Sequence, residues 1–257
     1  MIFYFSATGN SRHVALAVRK RFGGVCVDMA EALLEEKTEY EFEEGEAAVF
    51  VFPVYYGGLP DPVRDFIARF RPLRGTPEIC GICTCAGMPV GSDRKFRQAF
   101  AQKGMKVAAF YDVEMPENYI FLFRPPIREA ALMTLKRSEA RITDVLDSMA
   151  FHHRKPFRSG PFAGTASSLM HVLYGFTRST RGFKTGEECS GCGLCSRICP
   201  VRAITMKDGR PVWTANRCLK CTACINRCPE QTIQYGRATK KRFRYVHPDL
   251  ATRKRDE

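Results

Sequence analysis

The chain has 257 residues, a hydrophobic content of 45% and a formal net charge of +13, which together indicate one or two domains with substantial cores. The first residues show neither the charged start nor the cleavage site of a signal peptide, and no run of about 18 apolar residues predicts a membrane span. We therefore expect a cytoplasmic protein whose twelve cysteines stay reduced.

The charge is divided unevenly along the chain. Residues 1–120 carry 14 Lys/Arg and 16 Asp/Glu, whereas residues 121–257 carry 26 and 11. The basic second half predicts attraction to the acidic surface of a redox partner, and a charge that only keeps the protein dissolved is the alternative. Nucleic acid is not expected as a partner, because no basic motif with interleaved aromatic residues accompanies the charge. The sequence leaves open whether the protein forms a homodimer.

The first 150 residues alternate short apolar runs with amphipathic segments. Strands are expected at 2–5, 25–27, 47–52, 79–83 and 105–111, and helices at 14–22, 61–70, 92–103 and 127–150. Residues 31–46 are acidic and predicted to be surface-exposed. Asp61 is expected to cap the second helix. This alternation predicts an α/β, doubly wound parallel sheet with its ligand beyond the carboxyl ends of the strands.

The first of these loops is rich in hydroxyl groups and leads directly into a helix, an arrangement that favours an anion. It contains no lysine, so a phosphate monoester fits better than a nucleoside triphosphate. The loop resembles the phosphate-binding signature of flavodoxins, which implies a flavodoxin-like sheet of order 2-1-3-4-5 that binds FMN. An ordinary polar helix cap is the alternative. The residues are Ser6, Ala7, Thr8, Gly9, Asn10 and Ser11.

Two further loops follow the third and fourth strands. In flavodoxins, the equivalent loops flank the flavin ring. The resemblance implies that Tyr56 or Tyr55 stacks on the ring and that the Gly57 peptide meets flavin N5, with simple loop packing as the alternative. The second loop lacks the aromatic residue of some flavodoxins, and Tyr119 with its neighbour Asn118 is the candidate substitute. The loop residues are Pro53, Val54, Tyr55, Tyr56, Gly57, Gly58, Thr84, Cys85, Ala86 and Gly87.

Three cysteines near the fourth strand are interpreted as structural. Strand alternation places Cys83 and Cys85 on one face and Cys80 on the other, which does not suit a metal. The adjacent His152 and His153 are interpreted as a solvated helix end. Gly160-Pro161 marks a linker, and the apolar helix expected at 162–176 is predicted to pack between domains rather than lie on a membrane.

The most specific motif is C-x2-C-x2-C-x3-C-P, which occurs twice at an offset of 29 residues. Three cysteines at this spacing wrap one 4Fe–4S cluster, and the fourth, before proline, ligates the other cluster in two-cluster ferredoxins. A disulfide scaffold and a zinc site fit the spacing less well. The motif resembles the bacterial-type two-cluster ferredoxin. The predicted ligand sets are Cys189, Cys192, Cys195 and Cys228 for one cluster, and Cys218, Cys221, Cys224 and Cys199 for the other.

The order of these features divides the chain into four segments. We expect a flavodoxin-like domain at 1–150, a helical linker at 151–184, a small α+β ferredoxin domain with two 4Fe–4S clusters at 185–237, and a basic tail at 238–257. The tail carries Lys240, Lys241, Arg242 and Arg244, and it either docks in part or is disordered. The whole chain resembles EFR-type ferredoxins, in which a flavodoxin-like domain precedes a two-cluster ferredoxin domain and which are common in anaerobes.

The expected function is an electron relay between two 4Fe–4S clusters and FMN, exchanging electrons with a ferredoxin, flavoprotein or oxidoreductase. Two alternatives stay open. The first is a ferredoxin-type carrier whose front domain only docks partners, and the second is an FMN-dependent reductase of a small substrate. No hydrolytic constellation and no NAD fingerprint accompany these motifs.

Overall fold

The computed structural model describes residues 1–151, 159–160, 163–214 and 218–251. It separates the chain into two compact units. The first comprises Met1–Ser6, Asn10–Met115 and Met133–Val172, and the second Ala7–Gly9, Pro116–Leu132 and Leu173–Glu257. The interpretations of His152, His153 and Pro161 fall outside the described residues. The four-segment division inferred from the sequence stays a prediction.

The first unit contains the alternating elements. In chain order they are β1 (Ile2–Tyr4), α1 (Asn10–Phe22), β2 (Cys26–Asp28), α2 (Met29–Leu34), β3 (Glu39–Glu41), β4 (Ala47–Pro53), α3 (Asp61–Arg69), β5 (Arg71–Arg74), β6 (Glu78–Cys85), α4 (Ser92–Ala101) and β7 (Val107–Glu114). Two longer helices follow, α5 (Arg128–Ala150) and α6 (Ala163–Thr177), and each continues across a boundary between the units.

Five strands form one parallel sheet in the order β2-β1-β4-β6-β7. Counted within this sheet, the order is 2-1-3-4-5, so the predicted flavodoxin-like fold is confirmed. The carboxyl ends of β1, β4 and β6 lead into the three predicted flavin loops. All three loops therefore follow the carboxyl ends of strands in one sheet, which is where doubly wound sheets bind their ligands.

Strand alternation sends different side chains to the two faces of the sheet. One face carries aliphatic residues such as Val49, Val51 and Ile82, which join residues of α1 and α5 in one core. The other face carries phenylalanines. These strand rings pack against rings of α3, its carboxyl end and α4; all are fully buried, and neighbouring ring centres lie 5.0–6.4 Å apart. The strand rings are Phe3, Phe50, Phe52 and Phe110, and the helical ones are Phe66, Phe70, Phe96 and Phe100. Helices α3 and α4 cover this aromatic face.

Several elements of the first unit were not predicted. The acidic stretch 31–46 contains most of α2 and all of β3, and β3 pairs in parallel with β5. Both strands are charged and largely exposed, with an ion pair between Arg71 and Glu39 at 3.2 Å, so they lack an apolar alternation. The predicted cap of α3 is wrong by one residue. Pro60 occupies the cap position, and Asp61 pairs with Arg64 instead.

The second unit is small and built from short elements. These are β8 (Phe183–Thr185), α7 (Leu194–Arg197), β9 (Ile204–Lys207), β10 (Arg210–Trp213), α8 (Ala223–Arg227), β11 (Ile233–Tyr235), a 3-10 turn at Ala238–Lys241 and α9 (Pro248–Ala251). β9 and β10 form an antiparallel hairpin, and β8 pairs antiparallel with β11. The hairpin turns at Asp208 and Gly209, both in the left-handed region that such two-residue turns need.

Helix α6 differs from the expectation for residues 162–176. It buries Ser167 and Tyr174, whereas the apolar side chains used to predict packing are exposed by 38–82%: Leu169, Met170, Val172, Leu173 and Phe176. The two buried side chains both end in a hydroxyl group that forms a hydrogen bond. Ser167 donates a hydrogen bond of 2.6 Å to the Gly57 carbonyl, and the Tyr174 hydroxyl donates one of 2.6 Å to the Leu219 carbonyl. Among the described residues, no helix is long and apolar enough to cross a membrane.

Replacing Gly81 with alanine tests the aromatic face. A Cβ at this position of β6 would lie 2.6 Å from Phe110 and 2.8 Å from Phe96, and both rings are fully buried. Overpacking a core of this kind costs about 1–3 kcal/mol. We expect Gly81→Ala to lower the free energy of unfolding by that amount, measured by urea denaturation under anaerobic conditions.

Gly175→Ala is the matched control, because no atom lies within 4 Å of its added Cβ and the residue sits inside α6. It should leave stability unchanged or raise it by up to about 1 kcal/mol, through helix propensity. Equal stability of Gly81→Ala and the parent protein would contradict the described packing.

Candidate cofactor sites

The eight cysteines of the duplicated motif line two separate cavities in the second unit. One cavity is lined by Cys189, Cys192, Cys195 and Cys228. The other is lined by Cys218, Cys221, Cys224 and Cys199. Each cavity therefore takes three cysteines from one motif and the fourth from the other. This is the grouping that the spacing predicts.

The two motifs also repeat each other in backbone conformation. Three pairs of positions separated by 29 residues adopt positive φ: Gly191 and Lys220, Gly193 and Thr222, and Arg202 and Gln231. The short helices α7 and α8 follow the second of these pairs at the same offset. The sequence repeat is thus a structural repeat, with one loop conformation used twice.

The environment of the thiols suits iron–sulfur ligation. None of the twelve cysteines, all of which lie in the described ranges, forms a disulfide. Burial raises the pKa of Cys195, Cys218, Cys221 and Cys224 above the usual range of a thiol. Backbone N–H groups already point at two sulfurs, from Ala203 to Cys199 Sγ at 3.2 Å and from Lys220 to Cys218 Sγ at 3.3 Å.

A buried cation lies beside the second cavity. Lys220 is only 3% exposed and lines that cavity together with the four cysteines. Its ammonium lies 3.3 Å from the ring centre of Tyr235, 4.7 Å from that of Phe121 and 5.0 Å from that of Phe183. Burial lowers the pKa of Lys220 to about 8, against the opposing electrostatic effect of Cys218 and Cys224.

The first predicted flavin loop contributes Ala7, Thr8 and Gly9 to the second unit. Thr8 is 1% exposed, and its hydroxyl accepts a hydrogen bond of 2.6 Å from the Asn118 side chain. The Asn118 carbonyl in turn accepts one of 3.0 Å from the side chain of Asn226, in α8 of the second cysteine motif. Two hydrogen bonds therefore connect the predicted phosphate loop to a cysteine motif.

The carboxy-terminal segment also contacts this loop within the second unit. The His247 amide donates a hydrogen bond of 2.8 Å to the Thr8 carbonyl. Gly9 has a φ of +105° and approaches His247 so closely that an added Cβ would lie 2.6 Å from the His247 Cβ. Only glycine fits here, because both its φ and the available space exclude a side chain. The segment therefore covers part of the predicted phosphate loop.

The remaining loop residues lie in the first unit. Asn10 and Ser11 begin α1, and the Ser11 hydroxyl lies 2.8 Å from that of Thr84, which joins the first loop to the one after β6. The loop after β4 is pinned by two hydrogen bonds between Tyr55 and Gly58. Between them, Tyr56 and Gly57 adopt positive φ, which is costly for tyrosine and natural for glycine.

The donor chemistry of these loops fits a flavin phosphate. The first loop contains three hydroxyl side chains and one carboxamide, and α1 begins inside it. Helix N-termini of this kind favour anions. The aromatic residues predicted to stack on the flavin ring do not all belong to the same unit. Tyr55 lies edge-on to Phe5 at 6.2 Å in the first unit, whereas Tyr119 packs against Phe121 at 5.5 Å in the second.

Three of the four cysteines outside the motif lie in β6, and they follow the predicted alternation. Cys80 belongs to the aliphatic core, whereas Cys83 is fully buried and accepts a long hydrogen bond of 3.9 Å from Ser92 of α4, on the aromatic face. Cys85 donates a 2.8 Å hydrogen bond to the Gly87 carbonyl. The structural interpretation of Cys80 and Cys83 is therefore confirmed by their packing.

Sequence reasoning missed the residues that surround the predicted sites. Asn226, Ser167 and His247 contact loop residues through pairings of more than 100 positions, which no local pattern reveals. For Lys220, by contrast, the sequence does contain a signal. This residue stands where the 29-residue repeat has Gly191, so the departure from the repeat marks the position.

Comparison with known families agrees with the two halves of the chain. Residues 1–138, more than half of the chain, match a family described as a flavodoxin domain. Residues 188–233 match a family described as a 4Fe-4S dicluster domain.

Curated relatives match parts of the chain. An uncharacterized ferredoxin of Methanocaldococcus jannaschii is 49% identical over 35 residues, which span 14% of this chain and 23% of the relative. Ferredoxin-1 of Rhodobacter capsulatus is 38% identical over 48 residues, 16% of this chain and 74% of the relative. The chain thus spans less than a quarter of the first relative and about three quarters of the second.

Two solved structures are also similar to part of the chain. A putative flavoprotein from Bacteroides uniformis has 12% identity and a TM-score of 0.33, covering 44% of this chain and 88% of its own. The Trp repressor binding protein from Bacillus subtilis has 10% identity and a TM-score of 0.35, covering 56% and 94%. The assignment of the fold rests instead on the sheet order and the family match.

The two family matches agree with the iron–sulfur motif and the flavodoxin-like fold described above. The chain therefore belongs to the flavodoxin-domain family and joins that domain to a carboxy-terminal 4Fe–4S dicluster domain.

Proposed function

We propose that this protein relays single electrons between two 4Fe–4S clusters and one FMN, and exchanges them with a separate redox protein. The observation that carries the proposal is the crossed arrangement of cysteines. Each of the two cavities is lined by three cysteines of one motif and the fourth of the other. Four converging thiols are what one 4Fe–4S cluster requires, so two such sets support two clusters.

The choice of FMN rests on the first loop. Its hydroxyl groups and the start of α1 offer one site of phosphate size, and no second glycine-rich turn follows that could hold a pyrophosphate. In this proposal Thr8, Asn10 and Ser11 hold the phosphate. Tyr55, Tyr56 and Gly57, which lie together in the first unit, border the ring.

The relay itself is supported by the hydrogen bonds from Thr8 through Asn118 to Asn226. When bound, clusters carry one electron each, and FMN accepts up to two. The protein residues supply position. Asn118 fixes the Thr8 hydroxyl, and Asn226 fixes Asn118 while it sits two residues after Cys224. These residues therefore connect the proposed phosphate contact of Thr8 to the second cysteine motif.

A ferredoxin-type carrier without FMN is the second candidate, and one observation favours it. His247 and its neighbour Leu250 lie against Gly9, so the carboxy-terminal segment covers part of the phosphate loop in the second unit. The two candidates differ in flavin content. Protein purified without air should contain about eight iron atoms, about eight sulfides and about one FMN per chain if the relay is correct. Protein that contains about eight iron atoms per chain but no flavin would support the ferredoxin-type carrier.

Exchanging the fourth cysteine of each motif tests the crossed ligand sets. Cys199→Ser should weaken the cluster held by Cys218, Cys221 and Cys224, because Cys199 lines their cavity. Cys228→Ser should weaken the other one. We expect each variant to lose up to about half of the iron. The shifted β-proton resonances of the cysteines, assigned by selective labelling, identify which cluster is affected.

Cys26→Ser is the matched control, because this thiol lies in β2 outside both cavities and should leave the iron content unchanged. Loss of the Cys189 and Cys192 resonances in Cys199→Ser, with those of Cys218 and Cys221 preserved, would contradict the crossed arrangement.

Removing two hydroxyl groups of the first loop tests the flavin assignment. Thr8→Val with Ser11→Ala deletes two proposed phosphate contacts, each worth about 1.5–3 kcal/mol when the acceptor is charged. We expect FMN affinity to fall at least about tenfold, measured by fluorescence titration, with iron content unchanged.

The paired change Thr143→Val with Ser148→Ala serves as a control, since each of these hydroxyls donates a hydrogen bond to a carbonyl within α5. Undiminished FMN binding by the first pair, or recovery of FAD instead of FMN, would count against the assigned site.

Partner docking is proposed for the exposed part of the basic tail. Lys240 and Lys241 are exposed, whereas Arg242 donates to the Ile120 and Phe123 carbonyls and Arg244 to the Ile233 carbonyl and Gln234. The two arginines thus hold the tail in place, and the two lysines face solvent. We propose that these lysines attract an acidic redox partner.

Reversing both charges tests this docking. Lys240→Glu with Lys241→Glu should slow electron transfer from a reduced acidic ferredoxin at low salt, measured by stopped flow. Salt should slow the unmodified protein as well, because the Debye length is about 10 Å at 0.1 M. Lys20→Glu with Lys106→Glu makes the same charge change in the first unit and should have a smaller effect. Rates that respond to neither salt nor the tail reversal would refute docking.

A further inference from the structure

We propose that Lys220 makes the two clusters unequal, by raising the reduction potential of the cluster at Cys199, Cys218, Cys221 and Cys224 above that of the other cluster. The inference rests on the proposed two-cluster function. It concerns a residue outside both ligand sets that lines one cavity only.

The first argument is the backbone. Lys220 has a φ of +52°, in the left-handed region, and its counterpart in the first motif is Gly191 with a φ of +69°. Glycine adopts this conformation freely, whereas lysine is strained there. A glycine would therefore suit the loop better at both positions. Thr222 likewise replaces Gly193 at a positive φ, and of these two replacements only Lys220 brings a charge into the second loop.

The second argument is the environment of the ammonium group. Within the described residues, Lys220 Nζ is buried and has no hydrogen-bond partner. Phe121, Phe183 and Tyr235 surround it, and their rings contact one another edge-on at 4.9–5.7 Å, so they form a rigid cage. Ring faces attract a cation but do not fully replace water. A negatively charged cluster held by the cysteines of the adjoining cavity would supply the missing counter-charge.

The third argument is that the other nearby cations do not favour one cavity. Arg178 donates to the Cys218 carbonyl at 3.2 Å, and Arg197 donates to the Cys192 carbonyl at 2.9 Å. Arg244 interacts electrostatically with Cys228 of the first ligand set and with Cys224 of the second. Lys220 has no counterpart at the matching position of the first motif, since Gly191 carries no side chain. Lys220 is therefore a buried cation that lines the second cavity alone.

A fixed cation favours the state of a cluster that carries one more electron. Reduction places one electron on the cluster, taken from the external reductant. Cluster potentials respond to net charge and to solvent exposure, and a buried charge is screened little by salt. Electrons should therefore collect first on the second cluster, the one whose motif contains Asn226 and leads through Asn118 to Thr8.

Potentiometric titration followed by electron paramagnetic resonance tests this inference on the full chain. The wild-type protein should show two midpoints, and Lys220→Met should lower only the higher one. We expect the equilibrium between the clusters to change about tenfold, which corresponds to about 59 mV for a one-electron couple. Lys220→Gly restores the residue of the first motif and should give the same shift with a relaxed backbone.

Lys184→Met is the matched control, because it removes an exposed lysine of β8 next to the cage residue Phe183. It should move neither midpoint appreciably. Unchanged midpoints in both Lys220 variants, with iron near eight atoms per chain, would overturn the inference and leave the proposed function intact. Wild-type iron near four atoms per chain would contradict the two-cluster function itself, and the inference with it.

Discussion

The second unit depends on one constraint, which is that each set of four thiols must converge from two copies of the same motif. Cys228 completes the set begun by Cys189, and Cys199 completes the set begun by Cys218. Neither motif is sufficient alone, so in the proposed holoprotein the two halves of the repeat would be stabilised together. The hairpin between them and the pairing of β8 with β11 hold the halves at the separation that this exchange requires.

Because the two copies exchange ligands in this way, the residues that differ between the copies are what distinguish the two cavities. The backbone repeats at three left-handed positions, so the two cavities begin as near-equivalents. Lys220 with its aromatic cage, and Asn226 with its connection through Asn118 to Thr8, both belong to the second copy. In the proposed relay, the second copy would hold the cluster whose motif is hydrogen-bonded through Asn118 to the predicted phosphate loop.

Much of this organisation could be predicted from the sequence, because it is encoded locally. Apolar runs specify the five buried strands, and cysteine spacing specifies the thiol sets, so both appear in the expected places. The strands β3 and β5 escaped prediction because charged, exposed strands lack alternation. The role of Arg242 and Arg244 in fixing the tail also escaped, since it depends on carbonyls far along the chain. Long-range hydrogen bonds of this kind leave no local signature.

The central claim is that electrons pass within one chain between clusters and flavin, and single-turnover kinetics test it most directly. Holoprotein is mixed without air with less than one equivalent of a one-electron donor, and cluster and flavin absorbance are followed together over a range of protein concentrations. The account predicts that electrons redistribute between clusters and flavin at a first-order rate that does not depend on protein concentration. A redistribution rate proportional to protein concentration, or a flavin that stays oxidised while the clusters are reduced, would contradict it.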